Sequence, residues 1–260
     1  MGTGVPPDFP HNSRLANMRN AVIVVPCYNE EKRLPLAEFR AFLKDSEVDF
    51  VFVNDGSRDR TADVLASLKQ FRPDRVTVLD EGVNRGKAEA VRRGILFALE
   101  QGCNYVGFWD ADLATPLEEI PHLMQVLDDR PHLDMVFGAR VKLLGRRVQR
   151  KAARHYLGRV FATVVSQILG LPIYDTQCGA KLFRASAHAQ ALFGRAFLSR
   201  WVFDVEIIAR YIGQVGPAMA SKGIYEFPLH AWMDVAGSKL KPSDFFKAFW
   251  DVLRIKRAYL

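Results

Sequence analysis

Tyr105-Val-Gly-Phe-Trp-Asp-Ala-Asp112 sets a short apolar run directly against two carboxylates. A run of that length, closed by polar residues, reads as a strand buried on both faces. The arrangement occurs twice upstream. Ala21-Val-Ile-Val-Val25 runs into Pro26-Cys-Tyr-Asn-Glu-Glu31, and Phe50-Val-Phe-Val53 into Asn54-Asp-Gly-Ser57. Further strands are expected at Arg75–Leu79 and Asp134–Phe137, with an edge strand at Glu226–Leu229. Helical segments fall between them at 31–44, 58–70, 87–101 and 117–129. This alternation predicts an α/β fold: right-handed βαβ units, a mostly parallel sheet and helices on its faces. Ligands of such sheets sit outside the carboxyl ends of the strands, so three polar strand ends are aimed at one edge.

The second half reads differently. Arg154–Leu169 has Leu157, Val160, Phe161, Val164, Val165, Ile168 and Leu169 at helical spacing, and Arg200–Glu206 opens another helix. A last helix is expected over Asp244–Tyr259, capped by Ser243 after Pro242. Its stripe of Phe245, Phe246, Phe249, Trp250 and Leu253 is followed by Arg254, Lys256 and Arg257. The organisation predicted is a loose tail over 1–20, one domain over 21–240 and a C-terminal amphipathic helix over 241–260.

The chain has 260 residues and a net charge of +7. No Asp or Glu occurs between Met135 and Tyr174, where Arg140, Lys142, Arg146, Arg147, Arg150, Lys151, Arg154 and Arg159 lie. That stretch accounts for the whole positive excess, so the remainder is close to neutral. A local patch of this kind attracts phosphate-bearing partners. Familiar nucleic-acid-binding motifs are missing, which leaves an anionic membrane surface or a phosphorylated substrate. The tail lacks a secretory-signal pattern. The longest uncharged run, Val160–Tyr174, is shorter than the roughly 20 apolar residues of a membrane span. Three widely spaced cysteines fit reduced, structural thiols. The expectation is a cytoplasmic protein, peripheral on a membrane face.

Asp110 and Asp112 can both reach one hard cation and leave positions open for phosphate oxygens, as Mg²⁺ or Mn²⁺ requires. Asp55 is placed to accept from a base N–H, although its surroundings also make a simple turn. Tyr28 either packs in the core or stacks on a base. Lys87, after Gly86 at a helix start, suits a phosphate.

Taken together and in order, Val25–Leu34, Val53–Thr61, Asn84–Ala90 and Asp110–Leu113 resemble the motif set of family 2 glycosyltransferases, which have the GT-A (Rossmann-like) fold. Asp175-Thr-Gln-Cys-Gly-Ala-Lys-Leu-Phe183, Arg200-Trp-Val-Phe-Asp-Val-Glu206 and Gly237-Ser-Lys-Leu240 resemble its polyprenyl-phosphate branch, the dolichyl-phosphate β-glucosyltransferases in particular. The resemblance implies inverting transfer of a hexose from a nucleoside-diphosphate sugar, UDP-glucose, to a polyprenyl phosphate or another lipid-linked acceptor. Pro26, Tyr28, Glu30, Asp55, Lys87, Asp110 and Ala111 would hold the nucleotide sugar, and Asp110 and Asp112 the metal. Arg140, Arg150, Arg154, Gln177, Lys181, Trp201 and Lys239 would shape the acceptor site, with Asp112, Asp204, Glu206 and Arg140 as catalytic candidates. Where mannosyl-phosphate lipid synthases often place a Gln beyond the second Asp, this sequence has Ala114, as the glucosyl branch does. A saccharide hydroxyl acceptor, and a non-catalytic membrane-surface or nucleotide-binding module, remain as alternative readings.

Overall fold

The computed structural model describes residues 19–149, 152–235 and 242–260, the side chains of 19, 152–157 and 242–246 excepted. The apolar runs form the strands β1 (Arg19–Cys27), β2 (Asp49–Asn54), β3 (Val76–Asp80), β4 (Cys103–Trp109) and β5 (Met135–Ala139). Between them run α1 (Leu36–Asp45), α2 (Thr61–Phe71), α3 (Lys87–Gln101) and α4 (Glu119–Asp129). The rest comprises β6 (Arg147–Gln149), α5 (Ala152–Leu169), β7 (Ala180–Arg184), α6 (Ala187–Phe193), α7 (Phe203–Val215), α8 (Pro217–Gly223), β8 (Ile224–Pro228), β9 (Ala231–Met233) and α9 (Pro242–Tyr259).

Seven strands make one sheet in the order β3-β2-β1-β4-β7-β5-β8, parallel except for β7, which runs antiparallel to both neighbours. β6 and β9 pair as a separate parallel ribbon. Successive side chains of a strand point to opposite faces, and the core divides accordingly. Val22, Val24, Val51 and Val53 join α3, α6, α7 and α9 on one face. Ile23, Val25, Phe50 and Phe52 join α1, α2 and α4 on the other. α3 lies close against the sheet because Gly94 has no side chain: a Cβ there would stand 2.4 Å from a Val24 methyl. The sheet order doubles back at β1 and β4, a switch point of the kind that opens a crevice at the strand ends.

Several boundaries differ from the sequence reading. α1 begins at Leu36 rather than Glu31, because the Glu30 carbonyl accepts from the Arg33 and Leu34 amides in a turn that Pro35 then ends. α2 begins at Thr61, leaving 55–60 as a loop. β7 was not foreseen. Its short run is interrupted by Lys181, and it fits beside β4 only where Gly107 leaves the Lys181 carbonyl room. α9 starts at Pro242, placing Ser243 inside the first turn instead of at the cap. Its buried contacts are Val252 and Ile255, while Phe249 and Trp250 of the expected stripe face outward. α5 buries Ala162, Val165 and Leu169. No helix among the described residues is long and apolar enough to cross a membrane. Cys27, Cys103 and Cys178 are buried and unbridged.

Candidate active site

The carboxyl ends of β1, β2 and β4 open on a cavity of about 640 Å³. Pro26 lines it from the end of β1, Tyr28 and Glu30 from the loop after that strand, Asp55 from the loop after β2, and Asp110, Ala111 and Asp112 from the loop after β4. Lys87 reaches in from the start of α3. The lining is completed by Arg140, Arg159, Thr176, Gln177, Arg200, Trp201, Asp204 and Trp232, with Arg200 seated beside Gly86 and bonded to Asn84.

The two aspartates are held in specific ways. The Asp110 amide donates to the Gly179 carbonyl, and the Asp110 carboxylate packs on Gly179 so closely that a Cβ there would sit 1.9 Å from its Oδ2. Lys87 Nζ lies 2.5 Å from Asp110 Oδ1. Asp112 Oδ1 accepts from the Ala114 amide, in a turn that puts Leu113 at φ +50°. Arg33 Nη2 donates to Asp112 Oδ2 at 3.0 Å, and its Nη1 reaches Glu30. Arg33 was not among the predicted site residues. It belongs to the same quoted segment, but its partner lies far along the chain, so the sequence carried no sign of the pairing. Burial, and then the neighbouring Asp110 charge, push the Asp112 carboxyl above the usual range, and Arg33 and Lys87 offset this only in part. Burial works to lower the Lys87 pKa, yet Asp110 and Asp204 outweigh it and hold the ammonium above its ordinary value. Two carboxylates on one turn, with oxygen donors only, match the set a hard divalent cation takes when phosphate and water complete the shell.

Asp55 uses both oxygens on the next loop, accepting from the Arg85 amide at 2.6 Å and the Gly86 amide at 2.8 Å. It therefore shapes the approach to α3, where Gly86 takes φ +97°, as well as lining the cavity. Arg140 forms two bonds to Asp175, at 2.6 and 2.7 Å, and lies over the Trp232 ring at 5.3 Å. Burial pushes its pKa down, but Asp175 more than compensates and keeps it fully cationic. Glu226 fastens the same loop by accepting from the Tyr174 and Asp175 amides. Arg159 donates to the Tyr174 carbonyl and stacks on its ring at 3.7 Å. Thr176 Oγ1, Gln177 Nε2 and Arg33 Nε are buried with no hydrogen-bond partner among the described residues.

The sequence profile of glycosyl transferase family 2 matches residues 22–192. This chain belongs to glycosyl transferase family 2. Among its relatives, the human dolichyl-phosphate β-glucosyltransferase is 32% identical over 257 residues, a match covering 92% of this chain and 73% of the relative. The Dictyostelium discoideum enzyme of that name is 32% identical, with 92% and 74% covered. The Saccharomyces cerevisiae enzyme is 31% identical, with the same coverage. In fold, the chain is similar to glucosyl-3-phosphoglycerate synthase of Mycobacterium tuberculosis (TM-score 0.66, 18% identity, covering 92% of this chain and 80% of the other). That protein has been solved with Mn²⁺, UDP and glucosyl-3-phosphoglycerate, and with Mg²⁺ and UDP.

Not every predicted residue of this glycosyltransferase reaches the cavity. Glu206 is fully buried and turned away from it. Its oxygens accept from Arg210, the Tyr259 hydroxyl and the Leu198 amide. That corrects its reading as a catalytic group, since a carboxylate with three such partners is a structural brace between α7, α9 and the loop before α7. Lys181, read as an acceptor contact, is fully buried too and does not line the cavity. Its ammonium bonds Asp204 at 2.6 Å and the Cys178 carbonyl, between the rings of Phe108 and Phe137. Its effect is to orient Asp204, which does line the cavity. Of the basic stretch, Arg140 and Arg159 turn into the cavity, whereas Lys142 and Arg147 are exposed. Arg150, Lys239 and the Arg154 side chain lie outside the described residues.

Proposed function

We propose that this glycosyltransferase moves a glucosyl unit from UDP-glucose to a polyprenyl phosphate at a membrane surface, with Mg²⁺ or Mn²⁺ on Asp110 and Asp112. The observation that carries this reading is the charge lining the cavity, where the carboxylate pair after β4 shares one space with Arg140, Arg159 and Arg200. A metal-bound diphosphate suits the carboxylates and an anionic acceptor the arginines. Dolichyl phosphate and glucose are the acceptor and sugar in the names of the relatives above.

In this proposal residues 21–115 form the donor half and 116–240 the acceptor half. Pro26, Tyr28, Glu30, Asp55 and Ala111 enclose the nucleoside, while Lys87 and Arg33 meet the diphosphate. The bound metal supplies Lewis-acid neutralisation of the charge on the departing diphosphate. A phosphate monoester has a second pKa of about 6 and is already an anionic nucleophile near neutral pH. The protein then has to position and to stabilise charge rather than remove a proton. Asp204, steadied by Lys181, is placed to orient a sugar hydroxyl, as are the unpartnered donors of Thr176 and Gln177. Trp201, Phe249 and Trp250 are exposed, and Trp201 and Ala248 line the cavity, so this rim is where the chain would meet lipid. Aromatic side chains on an amphipathic helix bind interfaces in this way.

The test is a panel of UDP- and GDP-sugars against polyprenyl phosphate, the matching polyprenol and a soluble phosphate such as phosphoglycerate, with mass detection. Glucosyl polyprenyl phosphate from UDP-glucose is expected, dependent on Mg²⁺ or Mn²⁺. Transfer to the polyprenol would point instead to a hydroxyl acceptor. Transfer to phosphoglycerate alone would exclude the lipid, and no transfer at all would leave a binding module.

A further inference from the structure

Across β9 from the cavity is a second cluster of ligating side chains that the transfer reaction does not use. Glu119 opens α4, His122 follows one turn later on the same helix, and His230 arrives from the turn between β8 and β9. One ligand atom from each lies within 4.8 Å of the other two. The carboxylate is almost fully buried, whereas both imidazoles are exposed. Glu119 Oε1 accepts from the His230 and Ala231 amides, at 2.7 and 2.9 Å, so the group cannot rotate. That leaves Oε2 directed at the rings, 3.0 Å from His230 Nδ1. The two imidazole centroids are 4.6 Å apart, and both rings pack against Phe227.

We infer that Glu119, His122 and His230 form a second divalent-cation site, selective for a borderline-soft ion such as Zn²⁺. Two imidazoles and one carboxylate, with a fourth position open to water, are a known protein ligand set for zinc. Glu-x-x-His on a helix sets both groups on one face, as it does in carboxylate-bridged metal proteins. The Oε1 bonds supply the outer support that orients a ligating carboxylate. Binding replaces the shared proton between His230 and Glu119 with the cation, and rotation of two exposed rings is the adjustment needed. The neighbouring Arg146 charge acts against a cation here, so the affinity is expected to be moderate. Imidazole donors separate this site from the all-oxygen Asp110/Asp112 pair, which favours Mg²⁺ or Mn²⁺. The turn that carries His230 continues into Trp232, the ring under Arg140. A cation on the cluster would therefore fasten the acceptor wall from behind.

The experiment titrates Zn²⁺ alone into the full-length Asp112→Asn variant, which disables the other site, by calorimetry and by competition with a chromogenic chelator. One saturable equivalent is expected, together with a rise in melting temperature. His122→Gln and His230→Gln in the same background should each lower affinity at least about tenfold, with circular dichroism and unliganded melting temperature reporting that the fold is kept. Co²⁺ in place of Zn²⁺ should give the visible absorption of a four-coordinate site, lost in both variants. Absence of a saturable equivalent, or an affinity unchanged by both substitutions, would overturn the assignment.

Discussion

The two walls of the cavity are built on opposite plans. The donor wall takes its groups from short loops after three parallel strands, and its ion pairs, Lys87 with Asp110 and Arg33 with Asp112, are a quarter or more exposed on most of their partners. Pairs that water can reach contribute about 0–1 kcal/mol and are readily exchanged for another partner. The acceptor wall draws on β5, α5, the loop before β7, the entry to α7 and β9. Its central pair, Arg140 with Asp175, is buried, doubly bonded, backed by Glu226 and covered by Trp232. In the proposed reaction, one wall trades its cations for metal and diphosphate. The other has its cation fixed by protein partners alone.

The largest expected effect comes from breaking the fixed wall. Asp175→Ala leaves a buried guanidinium without its partner and should cost about 3–5 kcal/mol, read as a lowered midpoint in denaturant unfolding. On the exchangeable wall, Asp112→Asn should leave the protein folded but reduce kcat/KM for transfer by about 10²–10³-fold. The same residue gives a pH test. Its carboxyl is held above the usual aspartate range by burial and by Asp110, so acidification protonates it sooner than an ordinary aspartate. Metal-dependent UDP binding should fade at a correspondingly higher pH, seen by calorimetry across a pH series. A raised folded-state pKa also means that ionised Asp112 costs stability once pH exceeds the unfolded value. The metal-free protein should gain stability as pH falls through the folded pKa, and Asp112→Asn should abolish that gain.

Gly179→Ala probes the contact between the walls. Its Cβ would occupy the place of the Asp110 carboxylate, so Mn²⁺ affinity should fall about 10–100-fold, with melting temperature changed much less. The smallest effect is expected at the rim. Trp250→Ser should weaken association with anionic vesicles about 5–10-fold, in line with losing part of one aromatic side chain's burial, and leave turnover of a short, water-soluble acceptor unchanged.

The donor wall was largely legible in the sequence because each piece is local: an apolar run gives the strand, and the polar residues after it give the ligands. α3 was found to the residue, since Gly86 and Gly102 bracket it. The acceptor wall was not legible in that way. Lys181 interrupts the pattern of β7, and its burial makes sense only when Asp204 is seen beside it. Glu206 looked as reactive as Asp204, two residues earlier, until Arg210 and Tyr259 were found to occupy it. Pairings such as Arg33 with Asp112 and Tyr259 with Glu206 join distant parts of the chain, and local spacing carries no trace of them.

The direction of β7 has a wider consequence. Trp109 pairs with Ala180, so the last residue of β4 lies beside the first residue of β7. Had that strand run parallel to its neighbours, the segment leading into it would have emerged on the far side of the sheet. Reversal turns the segment 175–179 back toward the cavity, where Asp175, Thr176, Gln177 and Gly179 line it together with Asp110. A single change of chain direction thus brings a second loop to the cavity without lengthening the first, and ties that loop to Asp110 through one backbone contact.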